Sequence, residues 1–275
     1  MIDLALHPEP DIEAKYTEIQ RRGDLLLGDS YTPNLPGGDI HMSATASVLR
    51  DSKGEIIAAI ECIRDTTEKR RMEQERLDIL QKLRKTLGST VQAIANVVET
   101  KDPYTAGHQR RVADLAVAIA VEMGLPPDRI EGLQIAGTLH DLGKISVPSE
   151  ILTMPRMLTN IEFQIIKNHA RAGYEILKDI EFPWPIGRMV LEHHERIDGS
   201  GYPQGLPGSQ LLLESQILMV ADVVEAIASH RPYRPSKGIE FSLEEIAKNR
   251  GILYNPETVD ACLRLFREKG YNIAQ

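Results

Sequence analysis

The chain has 275 residues, the length of one large domain or of two unequal ones. With 42% hydrophobic, 26% charged and 5% aromatic residues, disordered, collagenous and purely coiled-coil chains are excluded and helix is favoured. A formal net charge of -8 excludes a broad surface for duplex nucleic acid, which needs clustered Lys and Arg, but admits a small anionic ligand wherever metal ions supply positive charge.

The opening Met1-Ile2-Asp3-Leu4 lacks the basic and apolar regions of a signal peptide, and no stretch of about 18 apolar residues follows, so no membrane segment and a cytoplasmic location are expected. Cys62 and Cys262 lie far apart and read as two reduced thiols. Residues 1–70 are dotted with Gly and Pro. Within them Ile40 to Leu49, the polar turn Asp51-Ser-Lys-Gly54 and Glu55 to Ile63 form a hairpin signal, the one persuasive β pattern. Gly37-Gly38-Asp39, just before it, reads as a turn. From Thr66 onward Leu77, Leu80, Leu83, Leu87, Val91, Ile94 and Val98 recur at steps of three and four, which predicts one amphipathic helix of about 30 residues. Its apolar seam suits either a second copy of the chain or its own domain. Gly88 weakens the middle by about 1 kcal/mol relative to Ala and marks where a connecting helix would meet the next domain. Beyond Asp102-Pro103 the pattern predicts helices over 105–123, 128–142, 160–178, 185–196, 214–229, 242–249 and 256–269, with prolines between them or in their first turns, where a missing N–H costs little. The fold class is mainly α.

Six of the eight histidines fall between positions 108 and 230, a modest enrichment; their company says more. Asp222 sits in the apolar run Leu218-Met-Val-Ala-Asp-Val-Val. A carboxylate so flanked is buried, and then needs a cation or several hydrogen bonds. His140-Asp141 ends an apolar segment in the same manner, with Lys144 one turn on, on the same side. His108, His169 and the pair His193-His194 complete the set. Singly, each has an ordinary reading as a core or surface group or an ion-pair partner. Together, five His and two Asp on successive helices are the donor set that a two-metal site in a helical bundle requires, and the absence of Cys argues against a closed structural zinc site. Lys144 suits the stabilisation of charge, although a helix C-terminal lysine also offsets the dipole. The segment Asp198 to Gly208, with four glycines in eleven residues, cannot be helix; its backbone N–H groups and Tyr202 suit a ligand, and a plain surface turn is the alternative. Arg196, Arg231 and Arg234 suit phosphate or guanine by bidentate pairing, or structural ion pairs equally well.

The segments Asp102-Pro-Tyr-Thr-Ala-Gly-His108, His140-Asp-Leu-Gly-Lys144, His193-His-Glu-Arg-Ile-Asp-Gly-Ser-Gly-Tyr-Pro203 and Arg231-Pro-Tyr-Arg234 resemble, in order, the HD superfamily of metal-dependent phosphohydrolases, and within it the HD-GYP cyclic di-GMP phosphodiesterases. The resemblance implies an HD-superfamily helical bundle with one divalent ion held by His108, His140, Asp141 and Asp222 and a second by Asp141, His169, His193 and His194. Tyr104 stands where some relatives carry a Glu for a third ion, so two are expected: Fe or Mn, with Ni, Co and Zn as alternatives. Such a pair activates water against a phosphodiester bond, Asp141 and Lys144 being the catalytic residues and Tyr202, Arg196, Arg231 and Arg234 the substrate-binding ones. The chain departs from the family at Glu225-Ala-Ile-Ala-Ser-His230 and at Gln109, which bears on substrate preference. Ile60-Glu-Cys-Ile-Arg-Asp65-Thr-Thr-Glu-Lys69 looks like the last strand of a PAS sensor running into its exit helix, on a segment too short for a complete PAS fold. The expected organisation is a partial, small α/β PAS-like segment over 1–68, a connecting helix over 69–98 and the catalytic domain over 99–275. The expected activity opens cyclic di-GMP to linear pGpG and on to GMP. A homodimer through the connecting helix is expected, and diguanylate cyclases are candidate partners. The alternatives are a low-activity adaptor that binds proteins through the Tyr202 loop, or a phosphodiesterase for another cyclic dinucleotide.

Overall fold

A computed structural model describes residues 1–6, 18–33, 38–102, 107–154, 156–229 and 238–273. They form two compact units, Met1–Lys85 and Thr86–Gln275. Among the described residues no helix is long and apolar enough to cross a membrane.

The first unit holds helix α1 (Ile2–Leu6) and strands β1 (Glu18–Arg22), β2 (Leu25–Thr32), β3 (Ile40–Arg50) and β4 (Ile56–Asp65), an antiparallel meander in the order β1-β2-β3-β4. The expected hairpin is β3-β4. The Asp51 carboxylate accepts from the N–H groups of Lys53 at 2.8 Å and Glu55 at 2.9 Å, which fixes the turn. Two further strands correct the expectation of a single hairpin. β1 is almost wholly exposed and polar, and β2 reads Leu-Leu-Leu-Gly-Asp-Ser-Tyr-Thr, so neither alternates in sequence. Their faces are set across the sheet instead: Leu26 pairs with Ala46, and both pack with Leu4 in a small core.

Helix α2 (Thr67–Lys101) starts where the Asp65 carboxylate accepts from the Thr67 N–H at 2.8 Å, a side chain answering an orphan donor of the first turn. It runs unbroken through Gly88, five residues longer than the thirty expected. The boundary between the units falls within it. Val91, Ala95 and Val98 are its buried residues, at helical spacing on one face.

The second unit contains α3 (His108–Glu122), α4 (Pro127–Leu139), a 3-10 turn (Leu142–Ser146), α5 (Ser149–Leu152), α6 (Asn160–Lys167), α7 (His169–Leu177), α8 (Ile186–Glu192), α9 (Leu213–Ala228), α10 (Ile239–Lys248) and α11 (Pro256–Arg267). Leu115, Ile119, Leu133, Met189, Ile217, Leu218 and Ile246 are fully buried in its core. Three helices differ from their sequence expectations at histidines. The one predicted over 128–142 stops before His140, that over 160–178 divides ahead of His169, and that over 185–196 stops before His193. At each break the ring Nδ1–H donates to the carbonyl three residues back: His140 to Gly137 at 2.7 Å, His169 to Ile166 at 2.7 Å, His193 to Val190 at 2.6 Å. A helix end leaves carbonyls without partners, and each imidazole answers one. The cysteines are both free, Cys262 buried and Cys62 exposed.

Candidate metal centre

The helix ends bring the seven predicted donors together. His108 opens α3, His140 and Asp141 follow α4, His169 opens α7, His193 and His194 follow α8, and Asp222 lies in the middle of α9. All are buried except His194, which is partly so. Asp141 Oδ2 lies 3.5 Å from His140 Nε2 and 3.9 Å from His108 Nε2, while its Oδ1 lies 3.5 Å from His169 Nε2. Asp222 Oδ1 lies 3.2 Å from His108 Nε2 and 3.9 Å from His140 Nε2, and its Oδ2 lies 3.8 Å from His194 Nδ1.

The approach of Asp141 to His169 depends on Gly143. A Cβ there would lie 1.9 Å from the His169 carbonyl oxygen and 2.5 Å from the Gly173 nitrogen, so only glycine lets the 3-10 turn lie against α7.

The tautomers follow from the second nitrogens. With Nδ1–H spent on a carbonyl in His140, His169 and His193, each Nε2 carries a lone pair inward. His108 is pinned differently, its Nδ1 paired with the Glu225 carboxylate, which also accepts from Arg111 Nε at 2.7 Å and Ser229 Oγ at 2.6 Å. Burial pushes His193 and His169 below the usual imidazole range, and it pushes His194 down to about 3 with help from the His169 ring. Burial works against charge on His108 too, yet its hydrogen bonds to Asp222 and Glu225 carry it up to about 9. Burial opposes ionisation of Asp141, but Lys144 and the surrounding rings outweigh it and hold the carboxyl well below its usual range. Asp222, likewise buried, is held low by His108.

Donor set and hydrogen-bond deficit both fit a divalent cation. His140 Nε2 is buried with no hydrogen-bond partner. His169 Nε2 and His193 Nε2 face each other at 3.2 Å, lone pair against lone pair, an arrangement a shared cation satisfies and a hydrogen bond between these tautomers cannot. His169, His193 and His194 form one set close enough to hold an ion, and His108, His140 and Asp222 another. Imidazole and carboxylate together suit a divalent transition metal.

Lys144 Nζ, in the 3-10 turn, donates to Asp141 Oδ2 at 2.6 Å and lies 3.8 Å from Asp102 Oδ2. Tyr202 and Arg196 line a cavity of about 280 Å³ that begins at His194, and the Tyr202 and His194 rings are 4.7 Å apart. Burial, reinforced by Asp222 and Asp141, raises the Tyr202 phenol and keeps it protonated. Arg231, Arg234 and Tyr104 lie outside the described residues.

Three carboxylates went unassigned in the sequence. Glu225 sits one helical turn beyond Asp222 in the same apolar stretch, a spacing that could have flagged it. Glu195 accepts from the backbone N–H groups of Gln204 at 2.6 Å, Gly205 at 3.0 Å and Leu206 at 3.2 Å, so one buried acid folds the loop that presents Tyr202. Glu192 accepts from the Leu212 N–H and the Ser215 hydroxyl, both at 2.9 Å, and ties the start of α9 to the end of α8. The close packing of the loop explains Gly201, where a Cβ would lie 2.4 Å from the Arg196 nitrogen.

A cyclic di-GMP phosphodiesterase response regulator of Xanthomonas campestris is 36% identical over 195 residues, 70% of this chain and 52% of its own. A cyclic di-GMP phosphodiesterase of Thermotoga maritima is 42% identical over 172 residues, 62% of this chain and 47% of its own. A 3'3'-cGAMP-specific phosphodiesterase of Vibrio cholerae is 36% identical over 168 residues, 61% of this chain and 36% of its own. The chain thus spans about half or less of the length of these relatives. Among solved structures, a HDG"Y"P protein from Bdellovibrio bacteriovorus has a TM-score of 0.50 at 17% identity, over 58% of this chain and 51% of that one, a likeness of fold. The pattern of the HD domain family matches residues 92–258, more than half of the chain. On that match the protein belongs to the HD domain family.

Proposed function

We propose that this chain is a phosphodiesterase that opens cyclic di-GMP to linear pGpG, with GMP as a further product, using two divalent ions. The observation that carries the reading is Asp141, whose Oδ2 faces His140 and His108 while its Oδ1 faces His169. In this reading His108, His140, Asp141 and Asp222 hold one ion, and Asp141, His169, His193 and His194 hold the other, Fe or Mn before Ni, Co or Zn. Bound there, such ions supply Lewis acidity and offset the charge that develops on a phosphodiester.

The remaining work falls to the chain's own groups. Lys144 Nζ, 2.6 Å from Asp141 Oδ2, holds a proton and passes it to the leaving 3′ oxygen. The Tyr202 hydroxyl, kept protonated by burial, donates to the substrate from the loop that Glu195 folds. Arg196, with Arg231 and Arg234, binds phosphate or base. In this reading, residues 1–68 are a PAS-like sensor segment, 69–98 a connecting helix and 99–275 the catalytic domain. Leu77, Leu80 and Leu83, exposed at 60%, 46% and 64% on the helix, supply an apolar seam for a second copy of the chain.

The relative specific for 3'3'-cGAMP supports a second reading, in which the mixed dinucleotide is the substrate. The test is anaerobic purification, elemental analysis and product identification with each dinucleotide. Two metals per chain and pGpG from cyclic di-GMP are expected. Less than one metal per chain, with no hydrolysis after reconstitution with iron or manganese, overturns the reading and favours an adaptor that binds proteins through the Tyr202 loop.

A further inference from the structure

The cavity beside His194 is lined by two cations, Lys167 and Arg196, and by three aromatic rings, Phe163, Tyr202 and Tyr254. Lys167 Nζ lies over two of those rings at once, 4.9 Å from the Phe163 centroid and 5.0 Å from the Tyr202 centroid. Among the described residues neither cation forms an ion pair, and no Asp, Glu, Asn or Gln side chain lines the cavity. At about 280 Å³ it falls at the lower end of ligand pockets, room for one base and not for a whole cyclic dinucleotide. Rings suit the face of a base, each stacked base contributing about 1–3 kcal/mol in single-stranded nucleic-acid sites.

The lining also decides which base. Guanine offers two acceptors, O6 and N7, on the edge that Lys and Arg read; adenine offers N7 beside an N6 amino donor, which neither Lys nor Arg can accept from. Lys and Arg have no acceptor atoms, so a purine presented edge-on to Lys167 and Arg196 gains two contacts from them as guanine and one as adenine.

We infer that this cavity is a guanine-selecting subsite, with Lys167, steadied between Phe163 and Tyr202, the residue that determines purine specificity. The inference rests on the phosphodiesterase reading above and deepens it by assigning the base next to the scissile phosphate. One such subsite ranks the substrates: cyclic di-GMP offers guanine in either orientation, 3'3'-cGAMP in one, and cyclic di-AMP in none.

The test measures kcat and KM of the metal-reconstituted full chain on all three dinucleotides, for the native sequence, Lys167→Met and Lys167→Arg. The native protein should prefer cyclic di-GMP to 3'3'-cGAMP by about twofold, the orientation count, and to cyclic di-AMP by about tenfold or more, as expected for a lost base contact. Lys167→Met should raise KM for cyclic di-GMP about tenfold with kcat little changed and erase most of the preference over cyclic di-AMP, while Lys167→Arg, which keeps the donors, restores it. An equal loss on all three substrates in Lys167→Met assigns the ammonium to a phosphate and overturns the guanine subsite, as does an unchanged ranking. In either of those outcomes the native protein still hydrolyses dinucleotides and the phosphodiesterase reading stands. No hydrolysis of any of the three by the native, metal-loaded protein overturns both.

Discussion

Two neighbouring regions of the second unit bury acids and treat them in opposite ways. Around Glu195 every contact is donor to acceptor: a carboxylate without exposed surface receives the N–H groups of Gln204, Gly205 and Leu206. Around Asp141 and Asp222 only Lys144 and His108 donate; elsewhere imidazole lone pairs and carboxylate oxygens lie 3.5 to 3.9 Å apart, and one ring nitrogen is unpartnered. A saturated buried acid organises the fold; a cluster left short of donors is built for a cation. Burial alone does not separate the two kinds, but an account of which donor answers which acceptor does.

The strongest way to break this contrast is Asp141→Ala. Both proposed ions lose their common ligand, so metal content should fall at both positions and turnover by at least about a thousandfold, given the several kcal/mol that metal ions contribute to such reactions. The same deletion removes the Lys144–Asp141 ion pair, so the metal-free variant should also melt somewhat below the metal-free native protein. Turnover close to native, or metal content unchanged, contradicts the assignment.

Glu195→Ala should do the reverse. Three loop N–H groups lose their buried acceptor, which costs about 2 kcal/mol, read as a lowered urea midpoint with metal content retained. Because the loop carries Tyr202, catalytic efficiency should fall through KM. A variant of native stability would remove the distinction.

Glu225→Gln probes the border between the two behaviours. Its carboxylate is satisfied like Glu195, by Arg111 and Ser229, yet its other oxygen holds His108. Replacing a partner that orients a metal-binding histidine typically costs 10–100-fold in metal affinity, so competition with a chelator should show about a tenfold loss at one of the two positions, and little change in melting without metal. An equal loss at both positions contradicts the division of ligands between the ions.

Much of this was legible in the sequence, and for identifiable reasons. Asp222 announced itself because a charge inside Leu-Met-Val-Ala is costly unless answered, and His140-Asp141 did so in the same way. The α2 seam and the β3-β4 hairpin are periodicity and turn chemistry, both local. What stayed hidden is non-local. β1 and β2 take their faces from cross-strand partners such as Ala46, and Glu195 finds its donors nine to eleven residues on, in a loop without periodicity. The ends of α4 and α8 and the division between α6 and α7 are not marked by apolar spacing, which continues through His140, His169 and His193, whereas the ring-to-carbonyl bonds that close those ends depend on rotamers. Lys167 reads in sequence as an ordinary cation inside the helix expected over 160–178, and only the folded loop brings the Tyr202 ring beneath it.

The smallest expected effect concerns an acid between the two extremes. Glu214, in the first turn of α9, is buried at its own surface while its partner Arg129 is 43% exposed on the side chain, 2.6 Å away. Burial raises the Glu214 carboxyl, but the Arg129 hydrogen bond overcomes it and leaves the group below its ordinary value. A carboxyl held lower in the folded than in the unfolded chain stabilises the fold above the unfolded pKa, and loses that contribution as pH falls through the folded one. With one partner in water, screening limits the effect to about 0.5 kcal/mol. Glu214→Gln should therefore melt slightly below the native protein at pH 7, and the two should converge as pH is taken below about 4. A difference that widens on acidification contradicts this account, because it would mean that the fold resists Glu214 ionisation instead of favouring it.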